Sequence, residues 1–349
     1  MVILSIFGLI ITFYLLAVVC EEFFVSSLDK ISVHLKLNSD MAGATLMAIG
    51  SSAPEFFTSL IAVFRDGGGH SDVGTGTIVG SAIFNILVII GASAAYKSAK
   101  LNWQPVVRDT AFYSLTIVLL LISFWDGVIV LNEAIYFVIL YGVYIFAVAK
   151  WRYWFPYDDS DPVEMLQEAT EKSKLARYSK QLLSLVIPDP VRYPKKYIKT
   201  FLLSIAAIAV LSYIMVESAI GLAEILHIHP AIIGLTVLAA GTSVSDLISS
   251  LVVAKQGRGD MAVSNAVGSN VFDILIGLGL PWMLVILIRG GSVGVANENL
   301  LSSVFLLFAT VLAVFFILIV KNWTIGKRAG LFLIGIYVLY LGWNVLQVL

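Results

Sequence analysis

Charge is scarce in this sequence. Of its 349 residues 13% are Asp, Glu, Lys or Arg, about half the share of an average soluble domain, while 59% are hydrophobic. That imbalance points to a membrane protein. The net charge of −1 gives no bulk attraction to nucleic acid, and no nucleic-acid partner is expected. Cysteine is nearly absent: the single Cys20 excludes an intramolecular disulfide and, set in an apolar run, reads as a small packing residue. No basic segment precedes the first apolar run and no small-residue cleavage site follows it, so no removable signal peptide is expected.

What is abundant is apolar runs of roughly twenty residues, each long enough to cross a hydrocarbon core of about 30 Å as a helix. Read against their charged punctuation they predict ten spans, near residues 3–25, 40–64, 71–96, 106–124, 128–149, 199–227, 229–254, 260–288, 299–320 and 328–347. One long polar segment, Trp151 to Tyr197, divides them five and five. The expected organisation is a first five-helix half over 1–150, a cytoplasmic loop over 151–198 and a second half over 199–349. With the N-terminus outside, Lys30, Lys36, Lys97, Lys100, Arg108 and the basic residues of the polar segment fall inside. Of the 22 lysines and arginines only Arg65 and Arg289 stay outside. Both termini are therefore expected outside, and the Asn322-Trp323-Thr324 sequon inside.

An internal repeat organises the chain. GATLMAIGSSAPEFFTSL from Gly43 aligns without gaps to GLTVLAAGTSVSDLISSL from Gly234, and DVGTGTIVGSAIFNIL from Asp72 to DMAVSNAVGSNVFDIL from Asp260. The two copies cover about 40–96 and 231–288. Matching spans lie five apart, an odd number, so they cross the bilayer in opposite directions. Such inverted repeats are typical of secondary transporters with a site at the bilayer centre. Gly74, Gly76 and Gly80 faintly echo a dinucleotide-binding loop, but no strand precedes them and close helix packing is expected instead.

Within the repeats stand carboxylates where hydrocarbon is expected: Glu55, Asp246 and Asp273. A charge at the bilayer centre costs about 2.5 to 3.5 kcal/mol, and no basic residue lies at matching depth. Bound cations are the natural compensation. Ser51, Ser52, Thr242 and Ser243 lie within a turn of Glu55 and Asp246, while Ser81, Asn85 and Ser269 share faces with the partner spans. These oxygen ligands suit hard cations, and the absence of soft ligands argues against zinc or copper. Gly50, Pro54 and Gly241 are expected to interrupt their helices and free backbone carbonyls such as those of Ala48 and Ala239. Three carboxylates balance one divalent plus one monovalent cation, or about three monovalents, so one pocket could alternate between the two loads.

At GSSAPEFFTS, DVGTGTIVGSAIFNIL, LAAGTSVSDLISSL and GDMAVSNAVGSNVFDILIGLGLPW the sequence resembles the potassium-dependent sodium/calcium exchangers, a branch of the calcium/cation antiporter superfamily. CEEFFVSSLDKIS and LNWQPVVRDTAFY resemble that branch's flanking helices. The resemblance implies an all-α membrane protein of ten helices in two inverted five-helix repeats. It implies Glu55 and Asp246 as central calcium ligands, Asp273 as the potassium-supporting acid with Asn85 at the matching position, and Ser51, Ser52, Thr242, Ser243, Ser81 and Ser269 around sodium. It also implies spans one and six as the moving pair, and Ca2+, Na+ and K+ as transported ions without a covalent cofactor. In one departure, Ser245 stands where the pattern expects proline, so Gly241 and local hydrogen bonding must break span seven.

Other readings stay open. Any single hydroxyl could bond its own backbone or a neighbouring helix rather than an ion. A potassium-independent exchanger, a calcium/proton exchanger and a cation channel would also use buried acids, although channels usually build their filters from rings of subunits. Glu21 and Glu22 suit an ion path or a solvated helix end, Glu217 and Glu224 an outer vestibule or a lipid-facing surface. His227 and His229 are expected in an outer turn without a metal, and the polar segment is expected to be solvated apart from an amphipathic run over 179–187. The plasma membrane is expected in preference to an organelle.

Overall fold

The computed structural model describes residues 2–34, 48–65, 71–156, 174–255, 259–295 and 298–346. The first residues of the second expected span, and Asp158, Asp159, Asp161, Glu164, Glu168 and Glu171 of the polar segment, lie outside them. The fold is almost wholly helical. Eight helices are long and apolar enough to cross a membrane: Ser5–Leu28, Ser71–Tyr96, Trp103–Ser123, Leu131–Trp151, Pro194–Leu226, Ala262–Arg289, Leu300–Val320 and Lys327–Leu346. Two shorter apolar stretches, Ala53–Phe64 and Pro230–Thr242, lie at the expected second and seventh spans. The fourth helix begins at Trp103, three residues before the expected start at 106, because Asn102 is still extended and the helix opens just after it.

Burial orders the helices from the inside out. The Ser71–Tyr96 span has 83% of its apolar window buried and Ala262–Arg289 has 67%, against 28% for Leu131–Trp151 and for Lys327–Leu346. The peripheral helices turn Phe146, Phe316, Leu339 and Trp343 outward, which fits a surface solvated by lipid rather than water. Buried apolar residues form two clusters. The larger one gathers Ile78, Ile83, Tyr113, Phe137, Ile274 and Trp282 from the central and peripheral helices. The smaller is built largely between the first helix and Pro194–Leu226, through Leu9, Leu16, Phe23, Ile208, Met215 and Val216.

Glycine permits the closest crossing. A Cβ on Gly74 would stand 2.8 Å from Ser59 Cα and one on Gly76 2.7 Å from the Ala231 carbonyl, while one on Gly80 would overlap the Leu235 carbonyl. Gly234 makes the reciprocal approach, 2.6 Å from the Val73 carbonyl. Gly76 and Gly80 are four apart on one helix face, the small-residue spacing that lets backbones touch. The glycines therefore serve helix packing.

Two short antiparallel pairings join connections distant in sequence: Ala99 with Ile325 and Lys100 with Thr324, then Val128 with Gly294 and Ile129 with Val293. The polar segment contributes the helix Lys174–Leu183, which docks on the first span. Lys180 Nζ reaches Glu22 Oε2 at 2.9 Å and Asp189 Oδ2 at 3.2 Å, and Tyr14 Oη meets Ser179 Oγ at 3.2 Å. Partial burial works against the Lys180 charge, but Glu22 and Asp189 outweigh it and raise its pKa.

Candidate functional site: a carboxylate cluster at two helix breaks

Both repeat copies break their helix at equivalent residues. Ala48–Ser51 and Ala53–Phe64 are separated by Ser52, at φ −91° and ψ 7°, with Pro54 in the first turn of the second piece, where its missing N–H is tolerated. In the other copy Pro230–Ile233, a π-turn over Gly234–Leu238 and Ala239–Thr242 lead to Ser243, at φ −84° and ψ 4°, before Val244–Lys255 resumes. No proline is needed there. The break comes two residues after Gly241, where a Cβ would overlap the Phe13 ring. The same backbone bond restarts each helix: Phe56 N–H to the Ser52 carbonyl and Leu247 N–H to the Ser243 carbonyl, both at 3.0 Å.

The breaks put Glu55 and Asp246 in the first turn of a new helix, at the positive end of its dipole. That end is worth up to about 2 kcal/mol to a carboxylate, less than the desolvation cost of each buried charge. Glu55 and Asp273 are fully buried and Asp246 is 2% exposed. Ser243 Oγ donates to Glu55 Oε1 at 3.2 Å and meets Ser81 Oγ at 2.6 Å. Ser51 Oγ meets Ser269 Oγ at 3.2 Å, tying the broken helix to Gly259–Leu275. The Ser51 hydroxyl lies beside Asp246 and that of Ser52 beside Asp273. Even so, Glu55 Oε2 and both oxygens of Asp246 and of Asp273 are buried without a partner in hydrogen-bond geometry. No ion pair reaches these acids among the described residues.

The remaining expected ligands have mixed places. Thr242 Oγ1 bonds back to the Leu238 and Ala239 carbonyls at 3.1 and 3.4 Å, and it also lies beside Glu55. The Ala239 carbonyl further accepts from Ser243 N–H at 3.3 Å, so in this conformation it is engaged by its own helix. Ala48 opens the Ala48–Ser51 helix. Among the described residues no three acidic, histidine or cysteine side chains stand at the spacing of a ready-made metal cage. Glu55, Asp246 and Asp273 nevertheless lie close enough to interact electrostatically with one another.

Three features of this neighbourhood were not anticipated from the sequence. Asn270 is fully buried; it accepts from Asn85 Nδ2 at 2.8 Å and donates to the Ala82 carbonyl at 3.1 Å and to Tyr113 Oη at 2.9 Å. The repeat alignment held its signal, a polar residue opposite Ala82. Second, Asn85 opens a π-turn, Asn85–Ile89, a local irregularity frequent at functional sites. Third, Arg108, expected in an inner loop, is 5% exposed and forks onto Asp109 at 2.7 and 3.1 Å, while Tyr144 and Ser264 donate to the same carboxylate. Further out, Arg65 pairs with Glu217 at 2.8 Å. His229 Nδ1 accepts from Ala231 N–H at 3.3 Å and lies 3.5 Å from Asp72, and His227 closes the Tyr197–Leu226 helix in the left-handed region at φ 56°.

Known structures share this architecture. The sodium-calcium exchanger NCX_Mj, in a strontium-soaked crystal, superposes with a TM-score of 0.61 over 98% of this chain and 99% of its own, at 23% identity. The H+/Ca2+ exchanger CAX superposes with 0.72 over 97% and 81%, at 15% identity. The fold is thus that of membrane cation exchangers. A family model described as sodium/calcium exchanger protein matches residues 5–150 and 196–346, and the chain belongs to that family. Human sodium/potassium/calcium exchanger 4 is 30% identical over 99% of this chain and 81% of its own length. The chicken sodium/potassium/calcium exchanger 2 is 31% identical over 97% and 76%. These relatives are transporters, and this multi-pass membrane protein is a transporter rather than an enzyme.

Proposed function

We propose that the chain is a secondary antiporter that exchanges Na+ for Ca2+, with K+ moving alongside Ca2+, by alternating access at the Glu55, Asp246 and Asp273 cluster near the bilayer centre. The observation that carries this reading is the set of buried, partnerless carboxylate oxygens at two matched helix breaks. Oxygen-lined acidic subsites suit Ca2+, Na+ and K+ and give no means of binding soft metals. Glu55 and Asp246, each at a helix start, are the calcium ligands; Asp273, with Asn85 opposite it in the repeat, supports potassium. Ser51, Ser52, Ser81, Thr242, Ser243 and Ser269 complete the sodium subsites.

Ten crossings in two inverted five-helix halves underlie this function, and the loop pairings support that count. Ala99 and Ile325 sit side by side, which supports an even number of crossings between them, six when the broken segment over 230–255 is counted. The His34 and Tyr197 rings lie 6.2 Å apart, which likewise supports a crossing by the broken second segment. Ten crossings put both termini on one side, and the basic residues of the polar segment support the cytoplasm for that segment and the outside of the plasma membrane for the termini. The separate apolar cluster between the first helix and Pro194–Leu226 supports these two as the sliding pair against the larger core.

Purified protein in sodium-loaded liposomes should take up calcium down the opposing sodium gradient, and Asp246→Asn should abolish both that uptake and calcium binding. Calcium uptake that Asp246→Asn leaves unchanged would sink the proposal.

A further inference from the structure

We propose that Asn270 is a positioning residue that fixes which end of the Asn85 amide faces the cation subsites, with Tyr113 bracing it; the inference rests on the exchange reading. Asn85 is fully buried one helical turn beyond Ser81, whose hydroxyl meets Ser243 at the site. It therefore lies on the site-facing side of its helix. An amide has two ends of opposite use: the oxygen can ligate a cation, whereas the NH2 group would repel one. Nothing in Asn85 itself decides which end is presented.

Asn270 decides it through a backbone group that cannot turn round. The Ala82 carbonyl can only accept, so the Asn270 nitrogen must lie there, 3.1 Å away. The same nitrogen reaches Tyr113 Oη at 2.9 Å. Asn270 Oδ1 is thereby directed to Asn85, and because it can only accept, Asn85 must offer Nδ2 at 2.8 Å. That leaves Asn85 Oδ1 turned the other way, buried and without a protein partner. Reversing Asn270 would set two carbonyl oxygens against each other, so the lock has one stable setting.

The repeat explains why such a lock exists in one copy only. Asn85 is equivalent to Asp273 and Asn270 to Ala82, so the symmetric counterpart of the Asn270–Asn85 contact would run from residue 82 to Asp273. A carboxylate presents oxygen at both ends and needs no orienting partner, and alanine stands where that partner would be. An amide in the same role does need one. Asn270 thus accompanies the exchange of a carboxylate for an amide, and it acts through Asn85 without touching an ion.

The test is a double-mutant cycle on calcium uptake into sodium-loaded liposomes, with calcium-dependent thermal stabilisation of the purified protein as a second readout. Asn270→Ala should raise the calcium concentration for half-maximal uptake about tenfold, equivalent to about 1.4 kcal/mol, with little change in the maximal rate. In an Asn85→Ala background the same substitution should add nothing. A residue that merely glues helices together would instead add its effect in both backgrounds, and that result overturns the proposal. Tyr113→Phe, which removes one hydroxyl, should shift half-saturation about threefold; should Asn270→Ala fail to fold, an unshifted Tyr113→Phe overturns the proposal by itself. Absence of sodium-driven uptake in the wild type would refute the exchange reading, while the thermal cycle would still report whether Asn270 and Asn85 are coupled.

Discussion

Replacing Gly80 by alanine should push the Ser71–Tyr96 helix away from Pro230–Thr242 and disable the site without altering a carboxylate or hydroxyl. The added Cβ would overlap the Leu235 carbonyl and stand 2.7 Å from Ala239 Cβ, where carbon atoms prefer about 3.5 to 4.0 Å. The helices must part by about 1 Å, which carries the Ser81–Ser243 contact from 2.6 Å to about 3.6 Å, beyond hydrogen-bond range. Ser243 also holds Glu55, so the subsites lose their shape together. Overpacking of this kind costs about 1 to 3 kcal/mol, a fall in melting temperature of roughly 2 to 10 °C. Thermal melts of the purified protein and initial rates of calcium uptake would measure both effects. Gly142→Ala is the control: nothing lies within 4 Å of its Cβ, and removing glycine from a helix interior should be neutral or stabilising by up to about 1 kcal/mol. Should Gly80→Ala melt and transport like the wild type while Gly142→Ala behaves the same, the glycine crossing is not what shapes the site.

Glu55→Gln should lower calcium affinity at least tenfold, read by calorimetric titration of the purified protein, because a full charge leaves a buried position where Glu55 Oε2 has no protein partner. Asp109→Asn should destabilise the fold by about 3 to 5 kcal/mol by leaving Arg108 buried without its carboxylate; a melting temperature within a degree of wild type would contradict this. Lys180→Ala should loosen the Lys174–Leu183 helix from the first span and speed proteolysis there. Because the Lys180 pKa is raised, the tie is fully present below the ordinary lysine value of 10.5 and is lost only as pH rises beyond it. Protection should therefore be flat through neutral pH, and a loss between pH 6 and 8 would refute the ion-pair account.

Much of the site was legible because membrane burial makes carboxylates conspicuous and the repeat pairs them. Glu55 and Asp246 stand at matched positions, and the break at Ser243 could be expected from Gly241 despite Ser245 in place of proline. The eight long apolar helices were equally plain. Less legible was anything set by contact between spans. The hydrophobic pattern does not tell that Arg108, one turn inside its helix, folds onto its own neighbour Asp109 rather than reaching the water. Nor does it tell that the Ala239 carbonyl remains engaged by Ser243 and Thr242, because π-turns and tight breaks redistribute helical bonds by one residue. Asn270 had a signal in the alignment opposite Ala82, but its meaning needed the three distances around it.

We propose sodium-driven calcium exchange at a three-carboxylate site in which Asp273 supports potassium. It is tested most directly by radioactive calcium uptake into sodium-loaded proteoliposomes, with and without external potassium, for the wild type and Asp273→Asn. The account predicts uptake that needs both the sodium gradient and potassium, and a mutant that keeps the first requirement and loses the second. Calcium uptake that proceeds without any sodium gradient, or that Asp273→Asn leaves as dependent on potassium as before, would contradict it.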